Sequence, residues 1–157
     1  MSILPLLTNP NETLREKSVL VPIEEITSPE TQELIENMIE TMHASKGIGL
    51  AAPQIGVNKR ILIATVEKED VVLINPELTS KSLRTIITEE GCLSIPGVFG
   101  MVKRFRRMNL SAYNRAGEKI EMKLEGMPSV IVQHEMDPLE GILFIDKAET
   151  IKNTERL

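Results

Sequence analysis

One cysteine, Cys92, stands in the whole chain of 157 residues. No internal disulfide can form from it, and such usage fits a reducing compartment. Histidine is nearly as scarce: only His43 and His134 occur, which limits any metal site built from imidazoles. No segment approaches the apolar length that spans a bilayer. The opening MSILPLLTNPNE lacks both the basic flank and the long apolar run of a secretory signal. Cytoplasmic residence with no membrane partner is the expectation. Excess positive charge is also missing; at a net charge of -5 the chain carries no broad electrostatic footprint for nucleic acid. Repeats, low-complexity tracts and linkers are absent, so a single domain over residues 1–157 is expected.

What is present is an ordinary globular balance, 41% hydrophobic and 26% charged, in a chain long enough to bury a real core. Residues 1–27 read as irregular, punctuated by Pro5, Pro10 and Pro22. Ser28-Pro29-Glu30 is a helix start: serine caps, proline suits the first turn, and acid favours that end. Leu34, Ile35, Met38, Ile39 and Met42 continue it as an apolar stripe, and Gly47 is expected to end it. Arg60–Val66, Val71–Asn75, Leu83–Glu89, Met108–Asn114 and Lys119–Leu124 read as strands, the last two joined by a turn at Asn114-Arg115-Ala116-Gly117. A second helix is expected from Met127 to Leu139, with Val130, Ile131 and His134 on one face and Gly141 beyond its end. The class is α+β, with antiparallel strands wrapped around a central C-terminal helix that carries His134-Glu135.

Three stretches have the composition of a site rather than of scaffold. Gly47-Ile48-Gly49-Leu50-Ala51-Ala52-Pro53-Gln54 lets a backbone or ligand approach closely and ends on an amide donor. Glu89-Glu90-Gly91-Cys92-Leu93-Ser94 holds the lone thiol. Gln133-His134-Glu135-Met136-Asp137-Pro138 begins a His-Glu-x-x-His pattern, in which two imidazoles one helical turn apart hold a metal and the glutamate serves as general base. Each stretch alone is weak, because a tight loop, a small buried cysteine and a satisfied core histidine are the commoner meanings.

In this order and at these separations, together with Asn9-Pro10, Leu14-Arg15 and Ile74-Asn75-Pro76, the stretches resemble the peptide deformylase family over nearly the whole chain. That family removes the formyl group from N-terminal methionines of new polypeptides, a step of protein maturation. The resemblance implies a deformylase-like fold and a metal-dependent amide hydrolase using Fe²⁺ or Zn²⁺. Cys92 and His134 would be metal ligands. Glu135 would be the general base and acid. Gln54 and the backbone N–H of Leu93 would hold the formyl oxygen. Ile48, Met127, Val130 and Ile131 would line the methionine pocket, and the Gly49 backbone would pair with an extended peptide. The implied partners are formylated N-terminal peptides and, by family analogy, the ribosome, although the short polar tail Asp146–Leu157 gives little basis for a C-terminal docking helix.

The departure from the pattern is at position 138, where the second imidazole is replaced by Pro138. Proline offers no side-chain lone pair, so a ligand is lost outright and metal occupancy and activity are expected to be weak or absent. A non-catalytic protein that binds N-terminal peptides in the retained groove is the alternative. Asp137, three positions after His134, and His43 are the nearest substitutes the sequence offers. Proline inside a helix also costs about 3 kcal/mol, because it loses one hydrogen bond and crowds the carbonyl four residues back, here that of His134. A kinked or early-ending helix is the expected consequence.

Overall fold

Ser28 starts the first helix, α1 (Pro29–Ala44), by accepting a hydrogen bond from the Thr31 N–H. Ile35, Met38 and Met42 form its fully buried face, and Leu34 and Ile39 flank it. The helix closes with the N–H of Gly47 bonded to the Met42 carbonyl and that of Lys46 to the His43 carbonyl. The left-handed residue of this cap is Lys46, not the expected glycine. Gly47 is needed for space instead, since a side chain there would run into Leu93.

A computed structural model describes residues 2–154. Its strands are β1 (Gly49–Ala51), β2 (Ile61–Val66), β3 (Glu69–Lys81), β4 (Thr85–Cys92), β5 (Ile95–Phe105), β6 (Arg107–Tyr113), β7 (Lys119–Glu125) and β8 (Ala148–Asn153). They form two antiparallel sheets, one in the order β1-β2-β3-β6-β7 and one in the order β4-β5-β8. The larger sheet is covered on both faces. On β2, Ile61 and Ile63 join the core under α1, whereas Leu62 and Ala64 join a second core with Val132 and Leu139 of α2 (Met127–Leu139). Alternation along a strand produces this division, which explains why β2 reads as a continuous apolar run. Each such leucine or isoleucine, fully buried, contributes about 1.5–3 kcal/mol.

The second helix therefore lies between two neighbours. Val132, Met136 and Leu139 face the larger sheet, and Val130, Ile131, His134 and Glu135 turn toward a cavity beside β1 and β4. Its bounds match the expectation. Pro138, in the last turn and buried, does not shorten it. The end is closed by the Ile142 N–H on the Asp137 carbonyl and the Gly141 N–H on the Pro138 carbonyl, with Gly141 left-handed. Proline here deprives only the His134 carbonyl of a donor, and the glycine cap satisfies the carbonyls that follow.

Four of the expected strands appear within a few residues of their expected bounds, as does the turn: the Gly117 N–H bonds the Asn114 carbonyl. The fifth, Val71–Asn75, is the first part of the much longer β3, which bends at a register shift between Ile74 and Glu77. Strands β1, β5 and β8 were not expected. Residues 148–153 of the expected polar tail form an edge strand on β5, and residues 155–157 lie outside the described residues.

Candidate active site

Cys92 is the last residue of β4, where a register shift interrupts its pairing with β5. Such a bulge re-aims a side chain, and Cys92 lines the cavity. Gln54 belongs to the short 3-10 turn Ala52–Ile55 after β1. Its Oε1 accepts from the Ala51 N–H at 2.8 Å, which orients Nε2 toward the Ser94 hydroxyl (3.2 Å) and the Cys92 Sγ (3.4 Å). His134 and Glu135 enter from α2. The cavity, of about 470 Å³, is bounded by these groups and by Ile48, Gly49, Leu93, Phe99, Met127, Val130 and Ile131. All three motif stretches meet at this one place.

A chain of buried charges holds His134. Its Nδ1 lies 2.6 Å from Glu90 Oε1, and its ring stacks on Phe144 with centroids 5.9 Å apart. Arg104 donates to both carboxylate oxygens of Glu90, at 2.8 and 2.7 Å, and to Asp137 at 2.7 Å. Lys147 donates to the other oxygen of Asp137 at 2.9 Å. Burial alone would raise the pKa of Glu90, but the hydrogen bonds from Arg104 and His134 outweigh it and hold the group at about 2. Burial would likewise lower the pKa of His134. Hydrogen bonds with Cys92 and Glu90, aided by the Glu135 charge, raise it to about 10.

Glu135 is different. One oxygen, Oε1, lies 3.9 Å from His134 Nε2, and the other, Oε2, is buried without a hydrogen-bond partner. Gly49 makes room for it, since a Cβ at that position would collide with the carboxyl group. Burial raises its pKa from 4.5 to about 7, and the His134 charge offsets only part of that. A carboxyl group raised in this way is penalised in the folded state when ionised. The penalty is absent below the unfolded value, grows as pH rises from 4.5 and is complete above about 7. Glutamine reproduces the neutral acid at every pH. Glu135→Gln is expected to be more stable than the parent chain by about 3 kcal/mol at pH 8 and equal to it near pH 4. Urea unfolding at the two pH values measures this; an equal difference at both would refute it.

The donor set falls short of a metal centre. Cys92 and His134 are adjacent, but among the described residues no group of three or more His, Cys, Asp and Glu side chains could hold a metal ion. Pro138 presents no donor. Asp137 is not a substitute, because both its oxygens are engaged by Arg104 and Lys147. His43 pairs with Asp70 at 2.6 Å and does not line the cavity. Sequence reasoning missed Glu90, Arg104 and Phe144. Only Glu90 carried a signal, its place two residues before the cysteine; Arg104 is brought to it by the β4–β5 pairing.

The family profile described as polypeptide deformylase matches residues 3–154. The chain belongs to the peptide deformylase family. It is 44% identical over 149 residues to a peptide deformylase of Desulfitobacterium hafniense, covering 95% of this chain and 97% of that one. It is 41% identical over 152 residues to that of Desulforudis audaxviator, covering 96% and 97%. Solved deformylases superpose closely. That of Thermotoga maritima gives a TM-score of 0.90 at 35% identity, covering 96% of this chain and 100% of that chain. The class I type b enzyme of Acinetobacter baumannii, with Met-Ala-Ser bound, gives 0.91 at 34% identity, covering 94% and 99%. Peptide deformylases are metal-dependent hydrolases acting in protein maturation.

Proposed function

We propose that this chain is a deformylase homologue that receives N-formylmethionyl N-termini of new polypeptides in the cytoplasm. Its hydrolysis of the formyl amide is weakened or lost through Pro138. The observation that carries this reading is the convergence of Gln54, Leu93 and Glu135 on one apolar-walled cavity that Cys92 and His134 also line, with no group of three or more His, Cys, Asp and Glu side chains among the described residues able to hold a metal. Gln54 Nε2 and the Leu93 N–H are the donors for the formyl oxygen. Glu135 is the acid–base group, and its pKa near 7 suits that work at neutral pH. Ile48, Met127, Val130 and Ile131 receive the methionine side chain, and the backbone of Gly49 pairs with the extended peptide. Cys92 and His134 are what remains of the Fe²⁺ or Zn²⁺ site. The loss of a donor at position 138 also favours a second reading, a non-catalytic binder of N-terminal peptides.

Neither reading requires position 138 for binding. Filling the methionine pocket is expected to improve affinity about 10–200-fold, the worth of roughly 1–3 kcal/mol of apolar contact. Calorimetry with a formyl-methionyl tripeptide and its formyl-glycyl counterpart checks this. Equal affinity for the two peptides would contradict a retained methionine pocket.

A further inference from the structure

Both strands that flank the cavity are edge strands: β1 ends the larger sheet and β4 ends the smaller one. The two faces of β4 differ. Glu90 turns toward α2, where it meets His134 at 2.6 Å, and Thr88, two residues earlier, shares that side. Glu89 and Gly91 turn the other way and are exposed. Phe99 of β5 stands directly opposite Gly91, so the two project from the same outer face. A Cβ at Gly91 would come within 2.9 Å of Phe99 Cε1 and 3.0 Å of its Cδ1. The glycine thus leaves the space across which the ring reaches the cavity. Phe99 lines that cavity while 38% exposed, a large apolar surface at its mouth on the side away from α2.

We propose that Phe99 is a specificity-determining residue for the second residue of the bound peptide, and that the side chain it takes is apolar or aromatic. The proposal rests on the reading above, in which the methionine enters the pocket beside α2 and the Gly49 backbone pairs with an extended chain. Successive side chains of an extended chain point to opposite sides. With the first directed toward Val130 and Ile131 of α2, the second is directed away from that helix, to the side on which Phe99 lies. The third turns back toward α2. A phenylalanine ring offers no hydrogen-bonding group, so a partner gains from it by apolar burial and ring contact. A phenylalanine or leucine at the second position covers the exposed ring, whereas a serine covers little of it. The first two are expected to bind about 3–10-fold more tightly than serine there.

The test uses the full chain and calorimetry with two series of peptides, formyl-Met-X-Ser and formyl-Met-Ser-X, where X is Phe, Leu or Ser. In the parent chain Phe and Leu should exceed Ser in the first series by the stated factor and by less in the second. Phe99→Ser should reduce the first-series preference to below about 2-fold. Phe99→Leu, which keeps an apolar surface, should retain part of it, so that misfolding of one variant does not decide the matter. A first-series preference of undiminished size in Phe99→Ser overturns the proposal, and so does a preference confined to the third residue. A parent chain that prefers formyl-methionyl to formyl-glycyl peptides yet ignores X overturns the role of Phe99 and leaves the methionine pocket standing. A parent chain that does not distinguish methionine from glycine overturns the reading above and this proposal with it.

Discussion

Replacing Pro138 by histidine is expected to raise metal affinity by about 10²-fold or more and to produce turnover of formyl-methionyl peptides. The bound is conservative, because disturbing an outer partner of a metal ligand alone costs about 10–100-fold, and the proposed defect is the loss of a ligand itself. The substitution also returns an N–H to α2 opposite the His134 carbonyl. That contribution is smaller than the full helix-interior figure of about 3 kcal/mol, because position 138 lies in the last turn, where the Gly141 cap already satisfies the carbonyls of Asp137 and Pro138. Elemental analysis after dialysis and a coupled formate assay measure the two outcomes. Adding Glu135→Ala to the variant should abolish turnover with the metal still bound, since the acid–base group is removed and the ligands are not. A Pro138→His chain that holds metal yet stays inactive would mean that the surroundings of the site have diverged beyond position 138.

The largest expected loss of stability comes from Arg104→Leu. The guanidinium is 2% exposed and bonds Glu90 and Asp137, themselves 6% and 11% exposed. Removing one partner from a buried ion pair costs about 3–5 kcal/mol, because the remaining charge stays buried without compensation. His134 still faces Glu90 and Lys147 still faces Asp137, so the lower end of that range is expected. In a chain of this size that is a fall in Tm of roughly 10 °C. The pH dependence has a definite sign. Glu90 is depressed from 4.5 to about 2, so it contributes stability above the unfolded value and loses it as pH falls toward 2. Without Arg104 that depression shrinks, and acid unfolding should begin at a higher pH. Thermal melts from pH 3 to pH 8 show both effects; a change below about 1 kcal/mol at every pH would mean that the network adds little, as is common for exposed pairs.

The parts of the molecule that were legible in the sequence are those set by local pattern. The cap at Ser28, the stripe on α1, the bounds of α2 and the turn at Asn114–Gly117 follow from spacing and turn chemistry. The strands that escaped notice lack such a pattern. In β5, Pro96, Gly97 and Gly100 punctuate an otherwise apolar run, and the reason for Gly100 lies across the sheet, where a side chain would strike Ala148 and the Thr150 carbonyl. Strand β8 is an exposed edge and keeps a polar composition. Strand β1 is only three residues long and reads as a glycine loop. The site divides in the same way. Cys92, Gln54, His134 and Glu135 stood out as motifs, and the cavity unites them. The Glu90–Arg104–Asp137–Lys147 chain did not, because strand pairing and helix packing assemble it from four separate segments. Asp137 shows why spacing alone misleads: three residues from His134 it has the separation of a ligand, yet two cations claim both its oxygens.

The central proposal is a deformylase groove whose metal site lacks one protein ligand because of Pro138. The most direct measurement is the metal content of the unmodified chain, by elemental analysis after dialysis against a mild chelator. With no group of three or more His, Cys, Asp and Glu side chains able to hold a metal among the described residues, clearly less than one metal per chain is expected. One tightly held metal per chain would contradict this and would mean that the protein completes the site with a ligand other than Asp137, His43 or Pro138.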